Sequence, residues 1–420
     1  RVARPGGGDH EFEYDALGRL ARLRERVDGA WVSTSFEYDA AGRTTAIEKA
    51  NGMRRETGYD AAGRITAIRN LRNGAVESSA VFRYAGGQLR SLEDSVRGGV
   101  ELYSYDGAGR VASVEYPDGE ILVRQYDRRS RNSREIFWAD SLMRWFDRDY
   151  DLADREVSLS DSGQILLQRV YQNGKLVETS HGNGLVRTYG YDPSNGQLDG
   201  SWTEGPGGIV EATVITREGQ GGFAPGQHIT AVTRTSAGVV ATTTEEYVLG
   251  PGPDEAGEEP AVGKRVYMWH DGENLSLYEH DALSNSRGWA GMGESFEYNA
   301  EGNRLLSATT LGAGAIDYSY DEAGFATSRR GVPLAWTASG RLASMGSDLS
   351  FEWDALDRKV RSLVMGAESL WLFGGRVQAD PSGLPGSIDF GEVRVDLATG
   401  ENRYRHLDFR GNVKFVSDQD

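Results

Sequence analysis

The sequence predicts an all-β protein built as one long, meandering antiparallel sheet, and three observations predict it. A six-residue motif recurs at intervals of about 20 residues, glycine supplies 55 of the 420 residues, and pairs of aromatic residues alternate with a period of two just ahead of the motif. A fixed period of this length is the signature of a repeat architecture, in which each unit packs against its neighbours. Glycine costs about 1 kcal/mol relative to alanine inside a helix, so a chain this rich in it is a chain of turns.

The motif appears first as Tyr14-Asp15-Ala16-Leu17-Gly18-Arg19. It recurs as Tyr38-Asp39-Ala40-Ala41-Gly42-Arg43, Tyr59-Asp60-Ala61-Ala62-Gly63-Arg64 and Tyr105-Asp106-Gly107-Ala108-Gly109-Arg110. Weaker copies begin at Tyr84, Tyr126, Tyr150, Tyr171 and Tyr191, and successive tyrosines are 20 to 25 residues apart. After a gap the motif returns at Tyr298-Asn299 and as Tyr320-Asp321-Glu322-Ala323-Gly324. Tryptophan takes the tyrosine place in Trp336-Thr337-Ala338-Ser339-Gly340-Arg341 and Trp353-Asp354-Ala355-Leu356-Asp357-Arg358, which brings the copies to thirteen.

Each motif reads as a hairpin corner. The aspartate can accept hydrogen bonds from backbone N–H groups two or three residues on, and glycine at the fourth place can take the positive φ of a type I turn closed by a G1 bulge. Halfway to the next corner lies a second turn signal: Asp28-Gly29, Asn51-Gly52, Asn73-Gly74, Gly98-Gly99 or Asp118-Gly119. Asn-Gly and Asp-Gly favour type I′ turns, so each unit is two strands and two turns.

The strand entering the corner carries two aromatic residues with one between, as in Phe12/Tyr14, Phe36/Tyr38, Phe82/Tyr84 and Tyr103/Tyr105. Period two puts both rings on one face, and successive hairpins are expected to line the rings up as neighbours across the strands. The strand leaving the corner carries apolar residues one and four places after the arginine, as in Leu20/Leu23 and Ile65/Ile68. That odd separation demands either a bulge or an apolar load on both faces.

The chain divides by these signals into regular repeats over 1–200, degenerate repeats over 201–290 and regular repeats again over 291–420. The middle part keeps a Thr/Val-rich run from Ile229 to Tyr247 that reads as strands, and an acidic Pro/Gly segment at 250–263 that reads as an exposed loop. Because the sequence opens at Arg1 without methionine or an apolar leader, it reads as a fragment of a longer chain.

The Tyr-Asp-x-x-Gly-Arg motif at a spacing near 20 resembles the YD-repeat proteins: Rhs polymorphic toxin cores, the shell component of insecticidal toxin complexes, and the teneurin YD shell. The closing segment, with Tyr404, His406, Asp408 and Gly411, is similar to the one with which Rhs cores approach their C-terminal end. The resemblance implies a spiralling antiparallel sheet forming part of a hollow shell. That shell would encapsulate and help deliver a C-terminal toxin or other cargo of the same chain, in a secreted or cell-surface bacterial protein. Other shell or secretion-system components are further implied partners. The alternative is a surface adhesion module that presents its aromatic and loop surfaces to glycans or partner proteins. Autoproteolysis in the Rhs branch would lie beyond residue 420, so no enzyme activity and no cofactor is expected of these residues.

Composition removes other classes. The absence of cysteine excludes disulfides, thiolate zinc sites and a cysteine nucleophile. A formal net charge of −17 opposes the counterion release that drives nucleic-acid binding, and no run of 18 apolar residues offers a membrane-spanning helix.

Local chemistry points the same way. Asp147-Arg148-Asp149-Tyr150-Asp151 opens like a calcium loop but has Leu152 at the sixth place and Ser158 at the twelfth, so it reads as a strand entering a corner. The six histidines show no H-x-x-x-H spacing, and His406 with Asp408 reads as a structural pair beside a turn. Asp380-Pro381-Ser382-Gly383-Leu384 reads as a turn, and the basic cluster Arg128, Arg129, Arg131 and Arg134 as a solvated hairpin end.

Overall fold

The computed structural model describes residues 10–139, 142–216, 227–236, 239–248, 266–270, 274–280, 286–289, 294–299, 304–310, 314–382, 385–397, 399, 401–407 and 413–417. The expected loop at 250–263 lies outside them, as do Asp408 and Gly411.

The described residues contain no helix. Strands β1 (His10–Tyr14) to β21 (Val239–Val248) form one sheet and β22 (Val266–His270) to β38 (Val413–Ser417) a second, each strand pairing antiparallel with the next in sequence. Neither sheet closes into a barrel among the described residues. Between the regular repeats, the meander continues through Leu198–Gly205, Gly208–Thr216, Gln227–Ser236 and Val239–Val248.

The corners carry the expected type I turn with a G1 bulge. At the first, the Asp15 N–H donates to the Arg19 carbonyl and the Gly18 N–H to the Asp15 carbonyl, with Gly18 at φ 76°. Two of the weaker copies, at Tyr126 and Tyr150, fold into the same corner with other residues in the left-handed region, Ser130 at φ 66° and Asp154 at φ 63°, whereas those at Tyr84 and Tyr171 close on the two-residue turns Gly86-Gly87 and Asn173-Gly174 with φ > 0 at both residues, and that at Tyr191 on a loop one residue longer. At Tyr126 and Tyr150, divergence at the glycine place has therefore not altered the turn.

Four of the second turns divide into two kinds, and Gly98-Gly99 closes a longer loop in which the Gly98 N–H donates to the Asp94 carbonyl. Asp28-Gly29 and Asn73-Gly74 have φ > 0 at both residues, as type I′ requires. Asn51-Gly52 and Asp118-Gly119 do not follow that expectation. In them only the glycine is left-handed, and Lys49 to Met53 and Tyr116 to Glu120 close with the same hydrogen bonds as the Tyr-Asp corners. The reason is loop length: two further residues ahead of the glycine leave room for a type I turn, so the Asn-Gly dipeptide no longer sits at its centre.

The odd spacing of apolar residues is resolved by a bulge. Tyr14 faces Leu20 and Glu13 faces Arg22, which leaves Ala21 as the extra residue and brings Leu23 opposite Phe12. The same shift places Ile65 opposite Tyr59, and Val111 and Val114 opposite Tyr105 and Tyr103. Both apolar residues thus lie across from the aromatic face.

The main core joins distant parts of the chain. Val114, Leu122, Phe137, Phe146, Leu159 and Leu167 of the first sheet are buried with Leu372, Phe373, Val377, Ile388, Val393 and Tyr404 of the second. Phe137 meets Phe146 and Phe373 edge-on, with ring centroids 5.8 and 5.1 Å apart.

Candidate functional site

The repeat residues form a ladder along each sheet. In a rung, Asp39 Oδ1 accepts from the Ala41 and Arg43 N–H groups at 2.9 and 3.0 Å, and Oδ2 from Arg43 Nε at 2.6 Å. Those bonds, led by the one from the guanidinium, hold the Asp39 carboxyl below its ordinary range. Asp15, Asp60 and Asp106 are bound in the same way by Arg19, Arg64 and Arg110.

Each arginine then reaches the next rung. The Arg19 guanidinium lies 4.7 Å from the Tyr38 ring centroid and donates to the Asp39 carbonyl, and Arg43 stands likewise over Tyr59 and donates to the Asp60 carbonyl. Tyrosine hydroxyls along the ladder donate backward across the strand between, as Tyr38 does to the Leu20 carbonyl, Tyr59 to Thr44 and Tyr320 to Leu305. Trp336 and Trp353 use their indole N–H for the same bond, to the Ala326 and Leu342 carbonyls.

The rings are therefore interleaved with guanidinium groups and do not stack on one another, which corrects the expectation of aromatic neighbours. The spacing explains it: repeat tyrosines lie on alternate strands, about 10 Å apart at the normal strand separation, too far for ring contact and suited to a cation between two π faces. Engaged on a face and at the hydroxyl, these rings are built into the wall.

The two sheets meet along a seam. Asp28 receives Asn299, Asn51 bonds Asp321, Arg72 bonds the Trp336 carbonyl, Glu101 pairs with Arg358, Glu135 with Arg376, Arg169 with Glu392, and Ser417 receives Asn183. The partners advance together, and their separation shrinks only from 271 residues at Asp28 to 223 at Arg169. A ribbon folded back on itself would pair residues in opposite order. Partners that advance in the same order are the geometry of a ribbon that winds past its own beginning.

The seam joins the second turns of the first winding to the corners of the next. Corners with aspartate satisfy their own backbone N–H groups at the second and fourth places after it, while the N–H at the first place points outward. Across the seam that group meets a carboxylate after Asp354, where the Ala355 N–H donates to Asp94 at 2.8 Å, and the same pairing recurs after Thr337 and Leu372, where the Ala338 N–H donates to Glu77 and the Phe373 N–H to Glu120 at 3.2 Å. Arg97, almost wholly buried, donates to the Trp371 and Lys359 carbonyls beside Asp354.

Burial sets the electrostatics of these stations. Burial alone would raise the Glu135 carboxyl, but both bonds from Arg376, with Arg148 and Arg124 beside it, bring it down to about 2. Glu120 has one backbone N–H and no guanidinium bond, so burial pushes it up to about 7. At the far end, the His181 and His406 rings lie 4.6 Å apart, and burial lowers both, His406 to about 3.

The remaining expectations find their places. Asp147 pairs with Arg134, Asp149 receives Ser158 and Asp151 binds Arg155, so the calcium-like string is a strand and a corner. Arg129 and Arg131 both reach Asp154, which with Arg134 on Asp147 places three of the basic cluster in ion pairs. Asp380 Oδ1 accepts from Ser382 as an Asx turn. His406 meets Ser417 and His181. The seam residues Glu77, Asp94, Arg97, Glu120, Glu135 and Arg376 had no motif of their own, and only their nearness to second turns and corners marks them.

A ribbon of laddered corners that winds past itself defines a structural repeat wall. Residues 8–212 match the family model Teneurin YD-shell. No curated protein matches the chain. A crystal structure of TcdB2-TccC3-TEV aligns over 98% of this chain and 24% of its own, at 13% identity and a TM-score of 0.64. One of TcdB2-TccC3-Cdc42 aligns over 97% and 27%, at 12% identity and 0.50. The chain thus spans about a quarter of the length of the structures it matches, and shares their fold. Over residues 8–212 it is similar to the teneurin-type YD shell.

Proposed function

We propose that the chain is a wall segment of a container that encapsulates a C-terminal toxin or other cargo of the same polypeptide and helps to deliver it. The observation that carries this reading is the seam. A meandering sheet has exposed turns along both margins, and here the margin of one winding is sealed to the next by a buried apolar core and capped N–H groups. Such a wall acts by exclusion, separating what it encloses from its surroundings.

No catalytic step enters this reading, since the buried carboxylates at the seam serve backbone amides and guanidinium groups. Partners would be the cargo and other shell or secretion-system components, and the setting secreted or cell-surface. Among the described residues no helix is long and apolar enough to cross a membrane.

Intact-mass and cleavage mapping of the full gene product that carries this chain tests the proposal. A C-terminal piece that is cut yet stays with the wall until denaturation is the expected result. An uncut chain without a separable piece would overturn encapsulation and favour an adhesion module.

A further inference from the structure

The seam joins margins of two kinds, corners from the second winding and second turns from the first. Each winding has both margins, so one of each is left over: the corners of the first winding and the second turns of the second. The residues that the seam covers show what these two margins are equipped to hold.

Corner residues change from covered to bare between the windings. Ala338 and Ala355, directly after Thr337 and Asp354, are 5% and 0% exposed beneath Glu77 and Asp94. Ala16, Ala40, Ala61 and Gly107 hold the same place in the first winding and are exposed, and among the described residues their N–H groups meet no acceptor. Leu356 packs on the cluster of Ala80 and Leu92 across the seam, whereas Leu17, its equivalent at the first corner, is 75% exposed, and Leu152 at the Tyr150 corner is 86% exposed. Apolar knobs and a row of open donors at the repeat spacing make up one half of a seam.

The leftover turns carry the other half. In the seam Glu77 and Glu120 stand three and one residues after the turn glycines Gly74 and Gly119, and in the second winding Asp348 and Glu368 stand two residues after Gly346 and Gly366. Asp380 and Glu401 lie at the next two turns of that margin, and the side chain of Met365 is exposed beside Gly366 as an apolar contact. We propose that the first-winding corners are a docking surface for the second-winding turns of another copy of this chain, which repeats the seam between molecules. Such a contact is heterologous: it joins unlike margins and leaves one of each free for further copies. The net charge of −17 opposes it, but at physiological salt, where the Debye length is about 8 Å, that repulsion is confined to groups near the contact.

Sedimentation velocity of the full chain at pH 7 and physiological salt tests the docking. Dimers and longer species that grow as the concentration rises to about 100 μM are the expected result. A chain that stays monomeric overturns the proposal and leaves the corners to another winding of the same polypeptide. The variants Leu17→Glu/Leu152→Glu and Asp348→Lys/Glu368→Lys each spoil one margin. Either alone should stay monomeric, and a mixture of the two should give a dimer that grows no further. Self-association of either variant, or no dimer in the mixture, places the contact elsewhere and refutes the proposal. Should a variant fail to fold, amide exchange of the unaltered chain decides: the Ala16, Ala40 and Ala61 N–H groups should exchange more slowly as the chain is concentrated, and unchanged exchange refutes the docking.

Discussion

The ladder along the ribbon and the seam between windings use the same pairing of carboxylate with arginine or backbone amide, in two degrees of burial. In a rung, Arg19 and Asp15 are each about a quarter exposed, and the bond set recurs at corner after corner. At the seam, Glu101 is 1% exposed and Glu135 is 4%, and each station differs from the next. Rungs are redundant and solvated, so the ladder tolerates losses that stop at one repeat. The station carboxylates are dry, so removing the arginine that serves one leaves a buried charge. Local pairing shapes the ribbon, and the long-range pairing decides whether it becomes a wall.

Substitutions that treat the two alike should break this comparison, and the largest effect belongs to the seam. Glu135→Ala removes the dry carboxylate shared by the half-buried Arg376, Arg148 and Arg124 and should destabilise the chain by about 3 kcal/mol, read by urea unfolding. A loss below that of a rung variant would remove the distinction. Glu120→Gln comes next and has a sign that depends on pH. The folded glutamate has its pKa raised, so it destabilises the native state as the pH climbs from 4.5 through about 7. The variant should therefore unfold less readily than the parent at pH 8, by up to about 3 kcal/mol, with the difference vanishing near pH 4.5.

Smaller effects sharpen the ladder side. Tyr59→Phe removes one hydroxyl bond to the Thr44 carbonyl and should cost about 1 kcal/mol, with increased amide exchange confined to the adjoining hairpins. Met365 holds φ 50° at an exposed second turn, a conformation that asparagine tolerates better. Met365→Asn should raise the melting temperature slightly, by the equivalent of about 0.5 kcal/mol.

The same comparison explains what the sequence made legible. The ladder is local: Tyr, Asp, Gly and Arg sit within six residues and repeat, so turn chemistry and period two suffice to place corners, strands and the aromatic face. Even so, the interleaving of Arg43 with Tyr59 was hidden, because it depends on the distance between alternate strands. The seam is not local. Glu77, Asp94 and Glu120 find backbone amides some 250 to 260 residues away, with no shared spacing, and a lone glutamate after a turn looks like any solvated residue. The bulge at Ala21 lies between these cases, since an odd apolar spacing signalled that something must give without saying what.

Cross-linking across the seam tests the central claim most directly, and the chain's lack of cysteine leaves no background for it. Paired cysteines at Asn51 and Asp321, whose side chains are 2.7 Å apart, should be joined in high yield by a short bis-maleimide in the intact chain. A control pair at Asn51 and Met365 should not. A linked 51–321 pair with an unlinked control is the outcome that a wound, sealed ribbon predicts. An unlinked 51–321 pair, or equal linking of both, would mean that the second winding does not lie on the first, and the wall would fail with it.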